Sequence, residues 1–265
     1  MTGQPESRGI LVRDHHDIRV ITLQFPERRN ALDLPARVEL LHALRAAELQ
    51  ARAIVLTGAN GFFSAGGDIR TMSDDPIEAG ERLDVLAAIA QQIVHSSTPV
   101  VAAVEGGAYG MGLSLVSGAT YVVGARSARF EASFGKIGLA PDTGLTWTLP
   151  RRIGPAKARR MMLTLLTLTG QTALEAGLVD ELVDDGDALG RAMDVAGTLS
   201  RLSAPMVAGV SRLLAHEAGS LAEAAAAEGR VQSELLRSRE SIDLRARFLE
   251  GTVKTRRATA GAEPN

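Results

Sequence analysis

Two glycine-rich turns and one aspartate carry the residue types that could do chemistry in this chain. The first turn, Phe62-Phe63-Ser64-Ala65-Gly66-Gly67-Asp68-Ile69-Arg70, follows the β-branched run Ala53-Ile54-Val55-Leu56-Thr57 and the turn Gly58-Ala59-Asn60-Gly61. The second, Glu105-Gly106-Gly107-Ala108-Tyr109-Gly110-Met111-Gly112-Leu113, follows the apolar run Val100 to Val104. Small residues at a strand end let backbone N–H groups approach a ligand with no side chain between them. Asp68 is a good N-cap, so a helix start is expected there as well as after the second turn, adding partial positive charge at each. Two such turns at the ends of neighbouring strands can converge on one oxygen. Asp142, in Ala140-Pro141-Asp142-Thr143-Gly144, is the carboxylate of most interest. An aspartate before a helix caps more often than it catalyses, so local sequence leaves both roles open.

The elements that must position these groups follow from pattern. Ile10 to Arg13 and Ile18 to Leu23 read as a hairpin across Asp14-His15-His16-Asp17, whose histidines have no third ligand nearby. Asp33 and Pro35 open a helix with Leu34, Val38, Leu41 and Leu44 on one face. The 53–57 and 100–104 runs read as buried strands, with a helix over 82–96 between them. Thr120 to Gly124 is a further strand, a helix starts near Leu145, and another spans 154–166. From Leu189 to Lys254 the pattern is helical, and the tail 258–265 is expected to be disordered. Strands alternating with helices predict an α/β fold with parallel pairing, followed by a helical appendage.

Composition narrows the partners. The 265 residues carry a net charge of -2, 45% hydrophobic residues and 3% aromatics. Neither a basic field nor a base-stacking surface is present, so nucleic acid is not an expected partner. Without cysteine there is no disulfide, thiolate nucleophile or Cys-ligated metal. Met1 to Glu6 lacks a basic-then-apolar leader, and no apolar run approaches the ~20 residues of a membrane span. A cytoplasmic protein with no membrane partner and no metal is expected.

In order and spacing, several segments resemble the enoyl-CoA hydratase/isomerase (crotonase) superfamily from about Ile10 to Val183. They are Arg29-Asn30-Ala31-Leu32, Phe63-Ser64-Ala65-Gly66-Gly67-Asp68, Val101 to Gly106, Gly110-Met111-Gly112, Phe130, and Gly138-Leu139-Ala140-Pro141-Asp142-Thr143-Gly144. The resemblance implies a crotonase-like spiral of ββα units over 1–195 and a helical C-terminal trimerisation region over 196–265. It implies an acyl-CoA thioester as ligand, a homotrimer or dimer of trimers, and no cofactor, coenzyme A being part of the substrate. Carried over by position, the N–H groups of Gly67 and Met111 form the oxyanion hole, and the Ala65 carbonyl meets the adenine amino group. Arg28 and Arg70 fall where the family places cations near the CoA phosphates. Asp68, Ile69 and Gly110 belong to the same substrate-binding turns. Lys254 is a cation of the tail that could reach CoA.

The two carboxylates of a hydratase are replaced by Ser114 and Phe134, neither of which is a general base near neutral pH. Glu131 is the carboxylate nearest the second position. Asp142 matches the acid of single-carboxylate isomerases, and residues 134–151 look most like the 1,2-epoxyphenylacetyl-CoA isomerases. One carboxylate suffices to move a proton between two carbons, and an apolar wall from Met111, Leu113 and Phe134 would raise its pKa. An isomerase is therefore expected. The alternatives are a hydratase using Asp142 or Glu131 with Ser114 holding water, an acyl-CoA dehalogenase, and an acyl-CoA binding protein with little activity. No histidine is positioned to serve the hydrolysis step of a dehalogenase.

Overall fold

The computed structural model describes residues 9–215 and 218–260, the last ten of these as backbone only. The chain divides into two compact units, Met1–Arg201 and Leu202–Asn265. In the first unit the strands are β1 (Gly9–His15), β2 (Ile18–Gln24), β3 (Ala53–Gly58), β4 (Val100–Val104), β5 (Gly107–Tyr109), β6 (Tyr121–Ala125), β7 (Arg129–Glu131), β8 (Leu168–Thr169) and β9 (Glu181–Val183). Its helices are α1 (Leu34–Gln50), α2 (Pro76–Val94), α3 (Met111–Gly118), α4 (Leu145–Ile153), α5 (Pro155–Thr164), α6 (Gly170–Ala176) and α7 (Ala188–Ser200).

The main sheet has six strands in the order β1-β2-β3-β4-β6-β9, and β5-β7-β8 form a second, smaller sheet. The β1–β2 hairpin is antiparallel, and every other pairing in the main sheet is parallel. Both faces of its central strands are covered. Ile21, Leu23, Ile54, Leu56, Ala102, Val104 and Val122 join the larger core, while Val20, Val55, Val101, Ala103 and Val123 face the other way. This alternation is the period of two that a strand imposes. The second face is closed by Ala188, Ala192 and Ala196, one per turn of α7, which keeps that helix close to the sheet. So α7 packs wholly within the sheet unit.

Parallel β3 and β4 are neighbours in register, Thr57 opposite Ala103, so their carboxyl ends share one edge of the sheet. Both glycine turns leave from that edge, where open parallel sheets bind ligands. The second unit contains α8 (Ala204–Ala215), α9 (Leu221–Arg237) and α10 (Arg239–Ala260). A side chain on Gly209 of α8 would meet Val231 of α9 at 2.8 Å, so that glycine permits the close packing of the two helices. The helix through Ala260 replaces the expected start of disorder at 258; residues 261–265 and the Lys254 side chain lie outside the described residues.

Candidate active site

The first glycine turn is held from below by residues 29–32. The Leu32 N–H donates to the Gly66 carbonyl at 2.8 Å and Asp68 N–H to the Leu32 carbonyl at 3.0 Å. Ala65 N–H donates to the Arg29 carbonyl at 2.9 Å. Asn30, fully buried, accepts from Phe25 N–H at 2.8 Å and donates to the carbonyls of Ala59 at 3.0 Å and Phe62 at 2.6 Å. Its φ of 56° is a left-handed conformation that asparagine tolerates better than most residues. This network explains why an Asn precedes Ala31-Leu32.

The second turn is stitched to the first. Ser64 N–H donates to the Gly107 carbonyl at 3.1 Å, and Tyr109 N–H to the Ser64 carbonyl at 3.0 Å. A methyl group on Gly66 would lie 2.7 Å from the Tyr109 carbonyl oxygen and 3.2 Å from the Met111 nitrogen. Gly110 has φ 52° and ψ -119°, which only glycine adopts without strain, and it turns the chain directly into α3. Among the described residues, the N–H groups of Gly67 and Met111 have no hydrogen-bond acceptor. Met111 is the first residue of α3, so its N–H carries the helix's positive end. After Asp68, however, only the single 3₁₀ turn Ile69–Thr71 forms, so the helix start expected there contributes no comparable dipole. The Ala65 carbonyl likewise has no donor among the described residues.

Asp142 does not cap α4. The N-cap of α4 is Gly144, and no side chain bonds there. The Asp142 Oδ1 instead accepts from the Thr143 hydroxyl at 2.9 Å. Thr143 is buried with φ 52°, an uncommon conformation for a β-branched residue, and such strain is concentrated at functional sites. Burial pushes the Asp142 carboxyl above its ordinary range, opposed by the Thr143 hydrogen bond and the charges of Arg37 and Arg82. The hydroxyl of buried Ser114 on α3 lies 3.2 Å from the Asp142 carbonyl and 3.4 Å from that of Gly110. It therefore ties the aspartate loop to α3. Met111, Leu113 and Phe134 are buried in the same core, and Phe134 Cζ stands 3.9 Å from where a Gly110 side chain would begin. Glu131 is buried with its carboxylate engaged, by Lys136 Nζ at 2.5 Å and the Thr167 hydroxyl at 2.6 Å.

The cations divide. Arg28 is buried beneath the turn, its Nη1 2.6 Å from Asp33 and 3.1 Å from Asp68, its guanidinium over the Phe25 ring. Arg70 is two-thirds exposed and pairs with Asp68 at 2.9 Å; exposed Ile69 stands beside it. Arg70 is thus the more accessible of the two to a ligand phosphate. The hydrogen bond from Arg70 lowers the Asp68 carboxyl to about 2, with burial opposing and Arg28 adding. A depressed carboxyl stabilises the fold above its unfolded pKa, and that stabilisation is lost as pH falls through the folded value. Asp68→Asn is expected to cost about 2 kcal/mol above pH ~5, shrinking towards pH ~2. Urea unfolding of both proteins across that range measures it; a gap independent of pH would overturn it.

Arg37 is the residue that sequence reasoning missed. It is 2% exposed, and a methyl group on Gly67 would lie 2.6 Å from its Nη2. The signal was available: 37, 40, 41, 44 and 47 form the buried stripe of α1 at helical spacing, with an arginine on it.

The family profile of enoyl-CoA hydratase/isomerase matches residues 13–254. The chain belongs to this family. A protein of Rhodobacter capsulatus named "Probable enoyl-CoA hydratase" is 41% identical over 175 residues, 64% of this chain and 66% of that one. The 1,2-epoxyphenylacetyl-CoA isomerase of Escherichia coli is 34% identical over 183 residues, 66% of this chain and 70% of that one. The chain thus matches about two thirds of the length of these curated relatives. The solved structure of an enoyl-CoA hydratase from Polaromonas superposes with a TM-score of 0.87 at 30% identity, covering 92% of this chain and 97% of that one. This likeness makes the crotonase fold the fold of this family member. Among the described residues no helix is long and apolar enough to cross a membrane.

Proposed function

We propose that this family member is an acyl-CoA isomerase in which Asp142 is the one base and acid. Asp142 takes a proton from the carbon next to the thioester; the C–H electron pair moves onto the thioester oxygen, giving an enolate. The N–H groups of Gly67 and Met111 hold that oxygen. When the enolate collapses, Asp142 returns the proton to a carbon two bonds along, and the double bond has moved. Opening of an epoxide on the acyl group begins from the same enolate. The observation that carries this reading is a half-buried carboxylate, its pKa pushed up by desolvation, that caps no helix. The hydratase positions are occupied by Ser114, bonded to backbone carbonyls, and by Phe134.

Hydration is the second reading, favoured by the name of the Rhodobacter relative. Mass spectrometry of a small panel of 2-enoyl-, 3-enoyl- and aromatic acyl-CoA thioesters in D₂O separates the two. Isomerisation gives products that gain no water, the transferred hydrogen being either retained or exchanged for deuterium at the carbons Asp142 serves. Products that gain one water would overturn the isomerase reading. We further propose that α8 to α10 form a trimer contact; exposed Leu214, Leu236 and Leu249 are apolar surface consistent with one. A cytoplasmic location remains part of this proposal.

A further inference from the structure

Arg37 is a buried cation without a partner of its own. Among the described residues its side chain makes no hydrogen bond or ion pair, and its Nε is buried with no acceptor. Arg82, from neighbouring α2, also has a buried Nε with no acceptor. The charges facing Arg37 are Asp142, Asp33 and Asp68, which attract it, and Arg82, which repels it. Asp33 and Asp68 already have Arg28 at 2.6 and 3.1 Å, and Asp68 also has Arg70 at 2.9 Å. Of the acids facing Arg37, Asp142 is then the one not already paired with another arginine, and Arg82 acts on it as well. Turnover does not change this balance, because the charge that leaves Asp142 reappears on the thioester oxygen beside Gly67. Arg28 also has a buried Nε and Nη2 with no acceptor, but its charge is met by Asp33, Asp68 and the face of Phe25; among the described residues Arg37 has no such ion pair.

We propose that Arg37, backed by Arg82, binds a carboxylate carried on the acyl chain, so that the preferred substrates are CoA thioesters of dicarboxylic acids. This rests on the reading of Gly67 and Met111 as the thioester site. The position of the guanidinium supports it. Arg37 lies against Gly67, so the anion must come from the part of the ligand next to the thioester. The CoA phosphates are the natural partners of exposed cations such as Arg70 instead. A planar guanidinium suits a carboxylate, which it can bind through paired hydrogen bonds.

Calorimetric titration of the full chain with matched saturated thioesters tests this without turnover. The pairs are butyryl- and succinyl-CoA, pentanoyl- and glutaryl-CoA, and hexanoyl- and adipyl-CoA. At least one dicarboxylic member should bind ~10-fold or more tightly than its partner, the worth of a charge-assisted hydrogen bond. Arg37→Met should bring that ratio close to one, and Arg37→Lys should keep part of it. Equal affinity within every pair in the wild type would overturn the inference while leaving the acyl-CoA reading intact, so the result does not depend on a variant folding. A preference that persists in Arg37→Met would also overturn it. If acetate tightens pentanoyl-CoA while glutaryl-CoA has no advantage, the arginines take a free anion and the acyl-chain assignment falls. Failure of every thioester to bind would overturn the thioester reading itself, and this inference with it.

Discussion

Asp142→Asn is expected to lower kcat by ~10³-fold, within the range that a positioned general base contributes. The substitution keeps the shape of the side chain and an oxygen to accept from Thr143, but removes the ability to take a proton. The same aspartate should govern the pH profile. The base must be ionised, and burial raises its pKa, so kcat/KM should fall as pH drops through a value above the ordinary carboxylate range. Stability should move the opposite way. A carboxyl raised in the folded state contributes stability below its unfolded pKa and loses it as pH rises through the folded one. The wild type therefore holds a desolvated charge at pH ~7 that Asn does not, and Asp142→Asn should melt no lower there, its advantage vanishing in acid. A helix cap would give another signature. Replacing a cap costs stability and spares chemistry, so a lowered Tm with kcat intact would make Asp142 structural.

The parts of the fold that were legible in the sequence are those set by long, regular patterns. The β1–β2 hairpin, α1 with its Asp33 cap, the buried β3 and β4 and the start of α4 all fall close to where periodicity and capping residues place them. The small sheet was not legible. Strands β5, β7 and β8 have two or three residues each, too short to show an alternation, and they exist because residues distant in sequence pair with them. The helix α2 begins at Pro76, not 82, because Asp75 caps it through the N–H groups of Ile77 and Glu78. That Asp-Pro start was in the sequence, just ahead of the 82–96 helix that the apolar pattern predicts. Arg37 is an intermediate case. Its place on the apolar stripe of α1 was readable, but only the packing of α1 under the glycine turn shows what the buried charge lies against. For Glu131 the outcome depends on Lys136 and Thr167, which close its carboxylate and which no local pattern announced.

Gly66→Ala should damage both stability and catalysis, for a reason that separates it from an ordinary glycine substitution. Gly66 has φ 100°, where an L-residue is strained by about 1–3 kcal/mol. The new methyl would also stand 2.7 Å from the Tyr109 carbonyl oxygen, a backbone atom that cannot swing aside. Relief requires the two glycine turns to separate, and those turns carry the N–H groups of Gly67 and Met111. Oxyanion donors act through fixed placement, and loss of one typically costs about 10²–10³ in kcat. The expected result is a Tm lower by several degrees together with a fall in kcat of about that size. Gly61→Ala is the control. Gly61 also has a left-handed φ, 66°, but a methyl group there meets nothing within 4 Å. It should lose about 1 kcal/mol of stability from backbone strain and keep its kcat. If both variants lose activity equally, turn strain rather than the spacing of the two donors is responsible. If neither does, the oxygen of the thioester is not held between these turns.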